Sequence, residues 1–164
     1  MTASLEYIGR TTERSRHLYL MDAPAPEDVP SVLEPAGSRF VCLLAWDAEG
    51  AAPEAVEDLA RRVVAAGCAY ICCWGAGCRA VHDAFDFVTT QRDPDAPLIM
   101  STWHDDETIA DALWFALFCA HPDDSAGECC RVVCISIGSS SHAEELRSAM
   151  GDIQRSSAKP LGHN

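Results

Sequence analysis

From Arg39 onward, short apolar runs alternate with segments in which apolar residues recur every three or four positions. Phe40 to Ala45, Cys68 to Cys73, Leu98 to Ser101 and Arg131 to Ile137 read as strands. Between them, Val56, Leu59, Ala60 and Val63 fall at helical spacing, as do Val81, Ala84, Phe85 and Val88. Pro53 suits a first helical position and Gly67 a left-handed stop. A third helix carries Ile109, Leu113, Trp114, Leu117 and Phe118, an apolar surface wide enough to need cover on more than one side, and Asp105, Asp106 and Glu107 are expected to open it. Ser141-His142-Ala143-Glu144 has the form of a capping box before a last helix with Leu146, Ala149, Met150 and Ile153.

Regular alternation of strands and helices predicts an α/β fold with crossover helices on both faces of the sheet. The expectation is a Rossmann-like three-layer α/β/α sandwich with a mostly parallel sheet of four or five strands. Residues 1–38 form an N-terminal extension in which His17 to Met21 offers an edge strand before the proline-rich stretch at 24–26, residues 39–155 the domain, and residues 156–164 a flexible tail. Strand order decides which loops meet. Numbering the four principal strands in chain order, 2-1-3-4 places Asp47 beside Trp103-His104-Asp105, whereas 3-2-1-4 places it beside Gly138 to Ser141; the first is favoured.

Charge narrows the choice of partner. With 25 acidic and 12 basic residues the formal net charge is −13, which opposes nucleic acid and anionic lipid, leaving a small molecule, a protein partner or a homo-oligomer. The start Met1 to Glu6 lacks the pattern of a secretory signal, and no apolar run approaches the roughly 20 residues of a membrane span, so a cytoplasmic location is expected. Nine cysteines are an odd number, and Cys42, Cys72, Cys73 and Cys134 lie inside the most apolar runs; most are read as reduced core residues.

Three tryptophans, Trp46, Trp74 and Trp103, each follow an apolar run. Carboxyl ends of parallel strands form the ligand crevice of open α/β sheets, so these rings are expected to collect near Asp47, His104 and Asp105. Ligand-binding candidates are therefore Trp46, Asp47, Trp74, Thr102 and Trp103, with Ser139 and Ser140 beyond the last strand. Catalytic candidates are His104, Asp105 and Asp47, since a histidine beside carboxylates can serve as a general base or cation ligand. Helix capping accounts for the same acidic residues.

Gly75-Ala76-Gly77-Cys78-Arg79-Ala80 matches G-x-G-x-x-A, a turn that can bring backbone N–H groups to a pyrophosphate; Gly75 and Gly77 are the cofactor-binding candidates. The turn follows the second strand of the repeat, however, and no acidic residue ends the next one, so a plain tight turn accounts for it better. Cys73, Cys78 and His82 are the only metal candidates, without a C-x-x-C pair to support them; His82 can equally pair with Asp86, and a buried Cys78 thiol is the alternative to a nucleophile. No metal is expected and no cofactor is identified. Neither a G-x-S-x-G elbow nor a complete Walker loop is present.

The stretch Thr102-Trp103-His104-Asp105-Asp106-Glu107, continuing into Ala112-Leu113-Trp114-Phe115, together with Tyr70 to Gly75 and His82-Asp83, resembles a family of small bacterial proteins catalogued only as a domain of unknown function. The resemblance spans residues 40 to 120 and implies no activity. The leading expectation is a non-enzymatic small-ligand-binding or protein-interaction domain using the carboxyl edge of the strands. The alternatives are a small hydrolase or transferase built on His104 and Asp105, and a nucleotide-binding domain using the Gly75–Gly77 turn. Convergence of Asp47, His104 and Asp105 on one pocket would favour the enzyme.

Overall fold

A computed structural model of the chain describes residues 3–11, 13, 15–33, 39–123 and 129–158. In chain order they form β1 (Glu6–Arg10), β2 (His17–Ala23), β3 (Phe40–Trp46), α1 (Pro53–Ala66), β4 (Cys68–Trp74), α2 (Cys78–Thr90), β5 (Met100–His104), α3 (Ile109–Phe118), β6 (Arg131–Ile137) and α4 (Ser140–Ala158). The fold is α/β. Its six-stranded sheet has the order β1-β2-β6-β3-β4-β5, parallel throughout except for β1, which runs antiparallel to β2.

This order corrects the favoured arrangement. β6 lies between β2 and β3, so residues leaving β3 stand beside those leaving β6 and two strands away from β5. The connection follows from α3, which packs on β3 and β4 and against α4, and so carries the chain back across the sheet before β6 begins. The N-terminal segment also contributes more than an edge. β2 is an interior strand in register with β6 along its whole length, and β1 forms the edge. Periodicity does not announce β1, because Glu6, Tyr7 and Arg10 are exposed and a bulge between Tyr7 and Gly9 breaks the alternation.

Strands buried on both faces sort their side chains by parity. Cys42, Leu44, Ile71, Cys73, Val133 and Ile135 share one apolar cluster with α1 and α2. Their sequence neighbours Val41, Leu43, Tyr70, Cys72, Val132 and Cys134 share another with α3 and α4. α1 begins with Pro53 and stops at Gly67, whose φ of +116° is left-handed. Six cysteines are buried and three half-buried, all as free thiols.

Several boundaries differ from expectation, each for a local reason. β5 starts at Met100 and continues through Thr102, Trp103 and His104, in register with β4 throughout, so these polar-flanked residues are strand residues. Asp105 to Glu107 form the bend after it; Thr108 caps α3, its side chain accepting from the Asp111 N–H. α3 buries Ile109, Ala112, Leu113, Ala116 and Leu117 but leaves Trp114 54% exposed against Phe118, so its apolar surface is not covered all round. Its last turn is held by the buried Arg16, whose guanidinium donates to the carbonyls of Ala116 (2.8 Å) and Ala120 (2.9 Å). At α4 the cap is Ser139, whose hydroxyl accepts from the His142 N–H at 3.2 Å, in place of the Ser141–Glu144 box. α4 runs to Ala158 and thus includes the first residues of the expected tail, while 159–164 lie outside the described residues.

Candidate functional site

β3 is followed by α1 on one face of the sheet, and β6 by α4 on the other. Because β3 and β6 are neighbours, the chain leaves their carboxyl ends in opposite directions. Such a switch point opens the crevice in which α/β sheets hold ligands. Asp47 leaves β3 here, and Gly138, at φ +73°, turns the chain from β6 into Ser139, Ser140 and the first turn of α4.

Two groups meet across this opening. The Asp47 carboxylate accepts from the Ala76 N–H at 2.9 Å through Oδ1, and its Oδ2 lies 3.8 Å from Nε2 of His142. The His142 ring stands edge-on to Trp74, with centroids 4.9 Å apart, and its Nδ1 is buried without a hydrogen-bond partner among the described residues. A buried polar atom left unpaired costs about 1–3 kcal/mol, so this nitrogen is the most under-satisfied group at the edge. Trp74 in turn donates from Nε1 to the Glu107 carbonyl at 2.8 Å.

The tryptophans do not collect. Trp46 is 7% exposed within the α1–α2 cluster, while Trp74 packs on the α3–α4 side. Trp103, level with Cys73, lies on the α2 side of the edge strand, where it contacts His82 and the guanidinium of Arg79. Parity explains the split: two of the rings stand on one face of the sheet and the third on the other.

Nor do the three catalytic candidates converge. His104 is 4% exposed, with Nδ1 2.8 Å from Glu107 Oε2 and Nε2 2.9 Å from Thr102 Oγ1. An ionised carboxylate only accepts, so Nδ1–H donates to Glu107, while Nε2 shares a hydrogen bond with the Thr102 hydroxyl. Both ring nitrogens are thus occupied, and Phe115 closes over the ring at 4.8 Å. Asp105 is exposed and pairs with Arg79 at 3.8 Å, a different set of partners from those of Asp47. Thr102 serves His104 from within the strand and does not face the crevice.

The glycine turn has a structural account. Ala48 N–H donates to the Ala76 carbonyl at 2.8 Å, and Ala76 N–H is taken by Asp47. A Cβ at Gly75, whose φ is +118°, would strike the Trp46 carbonyl oxygen, and one at Gly77 would crowd the Glu49 backbone. The glycines therefore admit the 46–49 loop to the space that a pyrophosphate would need. Among the described residues, no group of three or more His, Cys, Asp or Glu side chains is placed to hold a metal. Cys73 and Cys78 are buried, and burial pushes both thiols up, away from thiolate character; around Cys78 backbone hydrogen bonds and Arg79 only partly oppose this.

His82 instead stands beside Asp86, the alternative its helical spacing offered, in a cluster whose other members, Asp83 and Ser101, no catalytic or metal motif marks. Its Nδ1 is 3.1 Å from Asp83, and its Nε2 is 3.0 Å from Ser101 Oγ and 3.6 Å from Asp86. The order Ser–His–Asp resembles a catalytic triad, but the Ser101 hydroxyl donates to Asp86. Its proton is committed there and not to Nε2, whereas nucleophile activation requires the serine hydroxyl to donate to the histidine.

A family described as a domain of unknown function (DUF7684) matches residues 18–153, from β2 to α4. The chain belongs to that family. No curated protein and no solved structure matches it. The span shared with DUF7684 contains both sides of the switch point, Asp47 and His142 included, and leaves out β1. Within this DUF7684 chain, depressions lined by Arg39, Cys68 and Ile99, and by Thr89, Arg92 and Pro94, lie at or near the amino ends of β3, β4 and β5, opposite the crevice. Among the described residues no helix is long and apolar enough to cross a membrane.

Proposed function

We propose that this chain is a small-ligand-binding domain of Rossmann-like, three-layer build, whose ligand lies in the crevice between the carboxyl ends of β3 and β6. The observation that carries the reading is the meeting of Asp47 and His142 across the switch point, with Trp74 beside them and a buried, unpartnered Nδ1 on His142. A carboxylate, an imidazole and the Ser140 hydroxyl recognise a polar molecule bearing amino or hydroxyl donors, and Trp74 offers an indole edge for a planar one. Phosphate is disfavoured: the Asp47 carboxylate stands beside His142 in the first turn of α4, and the chain carries −13. A neutral or cationic ligand fits this charge.

The enzyme reading loses its support because His104 is enclosed and Asp105 is engaged elsewhere. The nucleotide reading loses it because the 46–49 loop occupies the glycine turn. Thermal-shift screening of nucleosides, sugars, amino acids and polyamines tests the proposal. A ligand that raises Tm should lose its effect in Asp47→Asn and His142→Ala while keeping it in His104→Ala. Retention of the effect in both switch-point variants would overturn the proposal.

A further inference from the structure

The two edges of the sheet are built differently. β1 carries a bulge between Tyr7 and Gly9, ends in Arg10, and is tied to α4 by an ion pair of Glu6 with Arg147 at 2.8 Å. Bulges and edge charges are the devices by which proteins protect a sheet edge from added strands. β5 has neither: it pairs with β4 alone, keeps continuous register over its length, and contains no proline, lysine, arginine or carboxylate. Its outward backbone N–H and C=O groups therefore face away from the sheet. Met100 and Trp103, 44% and 42% exposed, stand on its two faces, and Trp103 is held in place between His82 and Arg79.

The charge around this edge is predominantly negative. Asp83 and Asp86 flank it on α2, Asp105, Asp106 and Glu107 follow it, and all five are exposed; Arg79 is the basic residue among them. A second copy pairing through β5 would bring the same excess of carboxylates to the seam and no basic segment to match it. We propose that β5 docks an extended, lysine- or arginine-bearing segment of a partner protein as an added strand. Main-chain hydrogen bonds to β5 supply affinity, Met100 and Trp103 receive alternate apolar side chains, and the surrounding carboxylates select the basic ones. This surface is separate from the β3–β6 crevice, so either proposal can fail alone.

An acetylated, amidated octapeptide of alternating lysine and valine is the probe, with the glutamate–valine octapeptide as control, both followed by amide NMR at low salt. The lysine peptide is expected to shift residues 100–107 and the Asp83–Asp86 turn of α2, and to slow exchange of β5 amides. Asp105→Lys with Asp106→Lys, both in the exposed bend, should weaken it about ten-fold or more and narrow its advantage over the glutamate peptide. Absence of binding, equal binding to the reversed variant, shifts centred elsewhere, or a dimer through β5 by light scattering would each overturn the proposal.

Discussion

Raising the pH from 7.5 to 10 is expected to remove most of the stability of this fold, and the buried thiols are the reason. Cys42, Cys68, Cys72, Cys73 and Cys134 are each 3% exposed or less. Burial pushes all five well above the ordinary thiol value of 9.0, Cys72 to about 12, and neighbouring thiols push in the same direction. In the unfolded chain the same groups ionise near pH 9. Above that pH the unfolded state binds fewer protons than the native state, so stability falls as pH rises, from about 9 until the folded thiols themselves ionise. At pH 10 each thiol favours unfolding by about 1.4 kcal/mol, and the five together by about 7 kcal/mol. Domains are typically stable by about 5–15 kcal/mol, so the loss is comparable to the whole. Urea unfolding followed by far-UV circular dichroism, with reductant present at pH 7.5, 9 and 10, measures it directly. The midpoint should already fall at pH 9, where half-ionised unfolded thiols cost about 0.4 kcal/mol each or about 2 kcal/mol together, and collapse by pH 10. A midpoint at pH 10 equal to that at 7.5 would refute the reasoning, since buried neutral thiols cannot avoid this linkage.

Other outcomes follow from single contacts. Arg16→Ala leaves the carbonyls of Ala116 and Ala120 without their guanidinium donor, and a cost of about 2–4 kcal/mol is expected in urea unfolding; a change below about 0.5 kcal/mol would contradict the role assigned to Arg16. Gly75→Ala forces a side chain into a left-handed residue against the Trp46 carbonyl, and should cost about 2–3 kcal/mol, with wild-type stability as the contrary result. Brief iodoacetamide treatment of the native protein, read by peptide mass spectrometry, should label the half-buried Cys119, Cys129 and Cys130 before any other cysteine. Early labelling of Cys78 would contradict its enclosed position.

How far the sequence was legible depended on the kind of signal. α1 and α2 are legible from apolar spacing, with Pro53 and Gly67 marking the ends of α1, because helix period and stop residues act locally. The β5 boundary is displaced because Thr102 and His104 look polar in the chain; their hydroxyl and imidazole are satisfied by each other and by Glu107, pairings that the linear sequence does not assign. β1 was missed because an exposed, bulged edge strand has no apolar alternation to display. Of the proposed site, Asp47 and Trp74 stand at strand ends, but the residue beside them is His142, because β6 and not β5 adjoins β3. Strand order is a property of long-range packing, and no local pattern encodes it. The parity that separates Trp103 from Trp74 was present in the chain; it lacked only a correct strand boundary from which to count.

Protein-observed NMR of the Trp74 indole N–H and the His142 ring, recorded while a thermal-shift hit is titrated into wild type and Asp47→Asn, tests the central claim most directly. Asparagine retains the Oδ1 acceptor for Ala76 and removes only the charge, so the turn is preserved. The account predicts that both resonances move with the hit in wild type and that the response is lost in the variant. Shifts centred on the depressions at the amino ends of β3, β4 and β5, with Trp74 and His142 unmoved, would contradict it.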